Sequence, residues 1–159
     1  MKKTVLSIML IFISILSYAQ TTADYGIEFS KFKLEWYTVM GFRGGDSQRL
    51  KLTFKNTSDK DLKYVLVKYY AVNAVNDISV DNYNRKEFSV SCTGPYKSGV
   101  TKKLEVEIAL FFPNLLKAYP YELNLTYMDG SEQDVVISKD NIKTIFPCLD
   151  YIEIGNLQK

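Results

Sequence analysis

The segment NTSDKDLKYVLVKYYAVNAVND, residues 56–77, decides the fold of this chain. A polar turn leads into a run rich in tyrosine and β-branched residues, and a second polar turn ends it, which is typical of a β-strand. The Asn56 side chain can accept a hydrogen bond from the backbone two residues further on, as an Asx turn that begins the strand. We therefore predict a turn, a strand and another turn. The side chains of this strand expected to cross the core are Leu62, Tyr64 or Val65, Val67 and Tyr69.

Alternating apolar and polar residues extend this interpretation along the chain. The runs RLKLTFK (49–55), KLEVEIALF (103–111) and YELNLTY (121–127) each place apolar side chains on one face and polar ones on the other. This period of two indicates strands with one buried and one wet face, as in antiparallel sheets. The predicted strands are about 26–38, 48–55, 62–74, 86–93, 101–112, 120–128 and 132–138, with an eighth at 149–154 left open.

Seven to eight short strands predict an all-β fold, an immunoglobulin-like antiparallel β-sandwich. Asp129-Gly130, between two strand-like runs, is a strong hairpin signal. One or two short helical turns are predicted, one between Pro113 and Pro120 and one from Ser138, which would act as an N-cap. A small closed barrel, similar to a lipocalin cup, is the alternative. The half-wet alternation and the irregular loop lengths favour the sandwich.

The first residues have the pattern of a secretory signal. Two lysines precede an apolar run of twelve residues, 5–16, and Ser17-Tyr18-Ala19 places small residues where a signal peptidase reads them. A membrane anchor is the alternative, but a spanning helix needs roughly 20 residues. We expect residues 1–19 to be a cleaved signal peptide of a bacterial type common in Bacteroidetes, and residues 20–159 to form a single β-sandwich domain.

The charge balance limits the partners of the exported chain. The formal net charge is +2, and loss of the two leader lysines brings it to zero because residues 1–19 contain no acid. A neutral domain has no basic field for nucleic acid. The longest later apolar run, 104–112, contains two glutamates and is too short to cross a membrane. We expect a periplasmic or extracellular protein with no nucleic-acid partner and no transmembrane segment after signal cleavage.

Missing residue types exclude several kinds of chemistry. The chain has no histidine and no CxxC motif, so histidine-dependent nucleophilic catalysis, histidine-ligated zinc and thioredoxin-type redox chemistry are excluded. GFRGGDS (41–47) lacks the Lys-Ser/Thr ending of a phosphate loop, and a flexible hairpin loop explains it. Glu105 and Glu107 point the same way on one strand, as expected of a solvated face rather than a glycosidase pair. We expect no enzyme and no cofactor.

One loop has oxygen ligands suited to a hard cation. NDISVDN (76–82) places Asp77 and Asp81 near amide oxygens, and calcium prefers such ligands. The regular oxygen spacing and central glycine of a calcium loop are missing. A connecting loop explains the segment at least as well, and we expect no metal site.

The two cysteines leave a disulfide open. An oxidising compartment would allow Cys92 and Cys148 to bond, and closing a loop of this size would contribute roughly 4 kcal/mol. Two free thiols are the alternative, because the sequence does not show that the two Cα atoms come close.

Two parts of the decisive segment carry a resemblance to a known family. FKNTSDKDLKYV (54–65) resembles the strand, N-T-S-D-K-x-I/L-K-Y-V, strand pattern of FxLYD-like and related Ig-like domains of exported bacterial proteins. YAVNAVND (70–77) looks like their Y-N-A-V-G-D variant, with Asn76 where a glycine is usual. Asparagine tolerates a positive φ next best after glycine, so the turn is kept.

Later segments continue this resemblance. CTGPYKSG (92–99) is similar to the x-GP-x-x-x-G stretch that follows in such domains, and LTYMDGSE (125–132) is similar to their closing hairpin. The resemblance spans roughly residues 50–137. It implies an Ig-like sandwich in an envelope protein of unassigned function, and it carries no catalytic residues.

The aromatic residues suggest a binding surface. Tyrosines near the polar loop 76–84 and the neighbouring loop at Tyr96 could contact a glycan or a partner strand, although core packing and strand propensity also explain them. The expected function is a non-enzymatic module that binds a protein or envelope component, and the alternative is a lipocalin-like or aromatic-surface carrier of a small ligand or glycan. The candidate binding residues are Tyr69, Tyr70, Asn73, Asp77, Tyr83 and Tyr96.

Overall fold

A computed structural model describes residues 25–38, 46–81, 83–108 and 116–154. The signal peptide predicted at 1–19 and most of the glycine-rich loop at 41–47 lie outside the described residues. No helix within the described ranges is long and apolar enough to cross a membrane. The elements are β1 (Ile27–Thr38), β2 (Asp46–Asn56), β3 (Leu62–Val72), β4 (Glu87–Tyr96), β5 (Thr101–Ile108), β6 (Lys117–Tyr127), β7 (Glu132–Val136) and α1 (Ile142–Ile145).

The seven strands form two antiparallel sheets. The first sheet has the order β1-β2-β5, and the second has the order β4-β3-β6-β7. β4 pairs with β3, whereas in a constant-type immunoglobulin sandwich the fourth strand lies beside the fifth. The predicted all-β sandwich is confirmed. The closed barrel is wrong, because in the described part of the chain no strand joins one sheet to the other.

The core lies between the inner faces of the two sheets. Leu50, Leu52 and Phe54 of β2 point inward and are fully buried, as their alternation predicts. From the opposite sheet, Tyr69 packs edge-to-face on Phe32 with ring centroids 5.8 Å apart. Contacts of this type add to the stability that burial of the apolar surface provides.

The chain after β7 fills one side of this core. Ile142, Ile145 and Phe146 are buried, and the Phe146 ring stacks on Phe29 at 4.5 Å and meets Phe32 edge-to-face at 5.4 Å. One short helix is therefore confirmed.

The predicted cap of this helix is wrong. The N-cap of α1 is Asn141, and the structure gives it no side-chain capping bond. Ser138 instead donates its backbone N–H to Asn141 Oδ1 (2.8 Å) and accepts at its hydroxyl from Asp140 N–H (3.3 Å), which fixes the turn before the helix.

Two further predictions about secondary structure need correction. The helical turn expected between Pro113 and Pro120 is wrong for residues 117–120, because β6 already begins at Lys117 and pairs there with Val72. Residues 149–154 are not a strand. They run beside β6, where Ile152 donates its backbone N–H to the Tyr119 hydroxyl (3.3 Å).

Candidate functional site

Three of the six predicted binding residues are buried. Tyr69 is 1% exposed and faces the core, and Tyr96 packs edge-to-face on Phe54 at 5.0 Å. Tyr70 lies on the other face of β3, stacked on Tyr121 at 4.3 Å, and is also buried. Burial raises the pKa of each of these tyrosines, so their hydroxyls stay protonated. These three residues stabilise the sandwich and offer little surface to a ligand.

The predicted residues also lie at opposite ends of the second sheet. Tyr69 pairs with Phe88 at the start of β4, whereas Tyr96, at the end of β4, pairs with Leu62. Because a strand rises about 3.3 Å per residue, Phe88 and Tyr96 lie roughly 25 Å apart along β4. The prediction that the Tyr96 loop neighbours the loop after β3 is wrong.

The remaining predicted residues share the loop between β3 and β4, residues 73–86, which we call the β3–β4 loop. Asn73 organises its first half by accepting hydrogen bonds at Oδ1 from the backbone N–H groups of Val75 and Asp77, each at 3.0 Å. Asn76 has a φ of 67°, the left-handed conformation expected where a glycine is usual. Asp77 itself is exposed.

Asp81 organises the second half of this loop. Its Oδ1 accepts from the backbone N–H groups of Tyr83 and Arg85 (2.9 Å each), and its Oδ2 accepts from the Arg85 guanidinium (2.6 Å). Burial raises the pKa of Asp81, but these hydrogen bonds outweigh it and hold the pKa below its ordinary value. Both carboxylate oxygens of Asp81 therefore accept hydrogen bonds within the loop. This disfavours the interpretation of the segment as a calcium site.

The same loop exposes its apolar side chains. Val75 and Tyr83 are 73% and 74% exposed, and Val80 is also exposed. The Arg85 guanidinium lies 5.4 Å from the centre of the Tyr83 ring and restricts its orientation. Val75, Val80 and Tyr83 thus face the solvent, while the Asn73 and Asp81 side chains form hydrogen bonds within the loop. We call Val75, Val80 and Tyr83 the loop tip.

The opposite end of the sandwich carries a polar cleft of about 870 Å³. Three turns meet there, at 57–61, 97–100 and 128–131. Sequence reasoning identified two of these turns but did not place them together, because only the strand order brings them to one end. The lining residues are Gly26, Thr57, Ser58, Asp59, Lys60, Ser98, Tyr127, Ser131, Glu132 and Gln133.

Asn56 is the hub of this polar end. It is fully buried; its Nδ2 donates to the carbonyl oxygens of Lys60 (2.8 Å) and Tyr96 (3.0 Å), and its Oδ1 accepts from Ser58 N–H (3.1 Å). The predicted Asx turn is confirmed. The hydrogen bond from Asn56 Nδ2 to the Tyr96 carbonyl oxygen also fixes the end of β4 beside the turn.

Lys60, which lines the cleft, forms an ion pair with Asp129 beside the cleft. Lys60 Nζ lies 2.7 Å from Asp129 Oδ2 and 3.1 Å from the Ser131 hydroxyl. The hydrogen bond from Lys60 is the main cause that holds the pKa of Asp129 well below its usual range, and the hydrogen bonds from Ser131 are the next cause. The Tyr127 hydroxyl donates to Gln133 Oε1 (2.8 Å). The cleft is a hydrogen-bonded polar surface, and the Asp129 carboxylate beside it stays ionised at neutral pH.

Glu105 on β5 takes part in surface ion pairs. Arg49 contacts Glu105 and, more than any other group, lowers the pKa of that carboxyl, while Lys51 lies 3.5 Å away. The outer face of the first sheet is therefore a charged surface, as predicted for the wet face. Within the described ranges, no three acidic or cysteine side chains group closely enough to hold a metal ion.

The two cysteines are free thiols in the structure, so the disulfide left open by the sequence is not formed. Cys92 is buried on β4, opposite Val65 of β3. Cys148 lies at the other sheet, where its thiol donates to the carbonyl oxygen of Phe29 (3.2 Å). Burial raises the pKa of both thiols, to about 11 for Cys92, so neither is activated as a nucleophile.

Comparisons with known proteins do not assign this chain to a family. No protein-family model matches the chain, and no curated protein matches it. A solved structure, the X-ray structure of Northeast Structural Genomics Consortium target SoR45, is similar over 72% of this chain and 84% of its own. The identity is 12% and the TM-score is 0.37, a likeness too weak to support an argument. The resemblance to FxLYD-like domains stays a prediction.

Proposed function

We propose that this protein is an exported, non-enzymatic β-sandwich module that binds a protein of the cell envelope through the β3–β4 loop. The observation that carries the proposal is the loop tip, in which Tyr83 is 74% exposed on a backbone fixed by Asp81. Exposed aromatic side chains on rigid loops are effective protein-binding groups, because little conformational freedom is lost when they bind.

The internal bonds of the loop support this role. Asn73 and Asp81 together accept four backbone hydrogen bonds, so the loop keeps its shape without a partner. Arg85 lies near the rings of both Tyr83 and Phe88, which connects the exposed ring to the edge of the core. A prearranged aromatic group on a sandwich is the arrangement that antibody loops use for protein recognition.

Within the part of the chain that the structure describes, no catalytic constellation is found, and this supports a non-enzymatic role. The chain has no histidine, and the carboxylates with shifted pKa values, such as Glu35 and Glu105, are shifted downward by neighbouring lysines or arginine. General acid catalysis near neutral pH needs a carboxyl whose pKa is raised. Export is supported by the leader-like pattern of residues 1–19.

The test is in-cell cross-linking of the tagged protein followed by identification of captured proteins, with Tyr83→Ala as the variant. Tyr64→Ala is the matched control, because Tyr64 is 39% exposed on β3 and has Lys63 5.2 Å from its ring, as Tyr83 has Arg85. We expect Tyr83→Ala to reduce capture roughly tenfold or more, since aromatic anchors dominate protein interfaces. Tyr64→Ala should leave capture unchanged. Equal capture by wild type and Tyr83→Ala would contradict the proposal.

A second candidate function is binding of a small polar ligand or glycan in the cleft. The cleft combines hydroxyl groups with Lys60 and the Tyr127 ring, and its volume suits a small ligand. NMR titration with a panel of soluble glycans distinguishes the two candidates. Chemical-shift changes confined to the turns 57–61, 97–100 and 128–131 would favour the glycan carrier, and changes at the loop tip alone would not.

A further inference from the structure

The four edge strands of the sandwich differ in how they are protected against pairing. Exposed edges present unpaired backbone groups, and proteins usually block them with charged side chains or shorten them. β1 and β5 are rich in lysine and glutamate, and β7 is five residues long with two acidic side chains. β4 is ten residues long, and its stretch FSVSCTGPY, residues 88–96, has no charged side chain.

The free edge of β4 is regular in its first part. Ser89, Ser91 and Thr93 are exposed on the outer face, whereas Val90 and Cys92 are buried on the inner face. Among the described strands, β4 pairs only with β3. In an antiparallel ladder, every second residue directs its backbone N–H and C=O away from the neighbouring strand. Residues 89–93 therefore offer a row of such groups to another strand.

We propose that this edge pairs with the same edge of a second copy of this chain. The two β4 strands run antiparallel about a two-fold axis at Ser91, and the two four-stranded sheets join into one sheet of eight strands. The contact is isologous, because each copy contributes the same residues.

The side chains of β4 fit this arrangement. With the axis at Ser91, each Ser89 lies opposite Thr93 of the other copy, and Ser91 lies opposite itself, so hydroxyl groups face one another at all three positions. Cross-strand pairs of Ser and Thr stabilise antiparallel sheets. On the inner face, Val90 lies opposite Cys92 and extends the apolar layer. No like charges meet across residues 89–93, whereas the charged side chains of β1 and β5 disfavour a similar contact at those edges.

The first test is the mass of the purified protein in solution across a range of concentrations, measured by analytical ultracentrifugation. The wild type should form dimers. Ser91→Lys places two positive charges opposite each other at the axis and should weaken the dimer roughly tenfold or more. Ser30→Lys is the matched control, because Ser30 is exposed on edge strand β1 of the other sheet, and it should dimerise as the wild type does. A monomeric wild type, or equal dimers for Ser91→Lys, would overturn the proposal.

A second variant keeps the test valid if the lysine variant fails to fold. Ser91→Cys, in a Cys148→Ser background, brings two thiols together at the axis, where facing Cβ atoms are about 4.5–5.5 Å apart. Mild oxidation should give a covalent dimer joined through position 91. Ser30→Cys in the same background should stay monomeric on a non-reducing gel. Equal cross-linking of the two variants, or occupation of β4 by an unrelated extended peptide instead of a second copy, would overturn the two-fold pairing.

Discussion

The two ends of the sandwich use the same turn chemistry and have opposite surfaces. At the polar end, Asn56 and Asp129 accept backbone hydrogen bonds from Ser58 and Ser131, two residues further on. In the β3–β4 loop, Asp81 does the same for Tyr83. The residues around the turns differ: serines, Lys60 and acidic groups line the cleft, whereas valines and a tyrosine form the loop tip. The side chain that fixes a turn therefore does not predict whether the turn presents a polar or an apolar surface.

The largest expected loss of stability comes from removing the Asn56 side chain at the polar end. Asn56→Ala removes the buried hydrogen bond to the Tyr96 carbonyl oxygen, and it also removes one of the hydrogen bonds made by the Lys60 carbonyl oxygen and by the Ser58 N–H. Each buried polar group left unsatisfied costs about 1–3 kcal/mol, so we expect the free energy of unfolding to fall by roughly 2–4 kcal/mol. Urea denaturation followed by fluorescence measures this loss.

Asn73→Ala is the control at the other end. It also removes two backbone hydrogen bonds, but Asn73 is only partly buried and water can replace the lost partner. The loss of stability should be clearly smaller than for Asn56→Ala. Equal losses for the two variants would contradict the difference in burial between the two ends.

The next effect tests the loop tip through its support. Asp81→Ala removes the acceptor for Tyr83 and Arg85, so we expect the loop to lose its fixed shape and partner capture to fall roughly tenfold, as for Tyr83→Ala. Asp81→Asn keeps one acceptor oxygen and should retain part of the capture. Hydrogen exchange of the amides at 83 and 85 reports the loop directly. Unchanged exchange in Asp81→Ala would show that this carboxylate does not hold the loop.

The smallest expected effect concerns the charged face between the two ends. Hydrogen bonds from Lys33 and Lys51 lower the pKa of Glu35 from 4.5 to about 2. A lowered pKa adds stability above pH 4.5, and this contribution is lost as the pH falls towards 2. Glu35→Gln should therefore flatten the pH dependence of unfolding over that range, and salt should reduce the difference, because the pair is exposed. Glu107→Gln on the same face serves as the control.

Much of the fold could be predicted because it depends on local patterns. The alternation at Leu50, Leu52 and Phe54 identified a buried face, and the Asp129-Gly130 turn identified a hairpin. Asn76 adopts the positive φ expected at its position. Each of these features depends on a few neighbouring residues, so the sequence is sufficient to predict them.

The candidate site was harder to predict, because burial depends on residues far away in the chain. Tyr69 and Tyr70 look alike in sequence, but Tyr69 meets Phe32 of the opposite sheet and Tyr70 is covered by Tyr121 of β6. The position of Tyr96 did have a signal. In a hairpin, residues equally far from the loop are neighbours, so Tyr96 had to lie far from the β3–β4 loop.

Phe146 has a consequence for the order in which the protein folds. Its ring stacks on Phe29 of β1, and nearly the whole sandwich lies between them in the chain. A chain that emerges N-terminus first therefore leaves the Phe29 ring without its stacking partner until Phe146 has been released. A chaperone that shields the emerging chain is therefore needed longest at β1. Truncation of the chain before Phe146 would destabilise β1 more than any other strand.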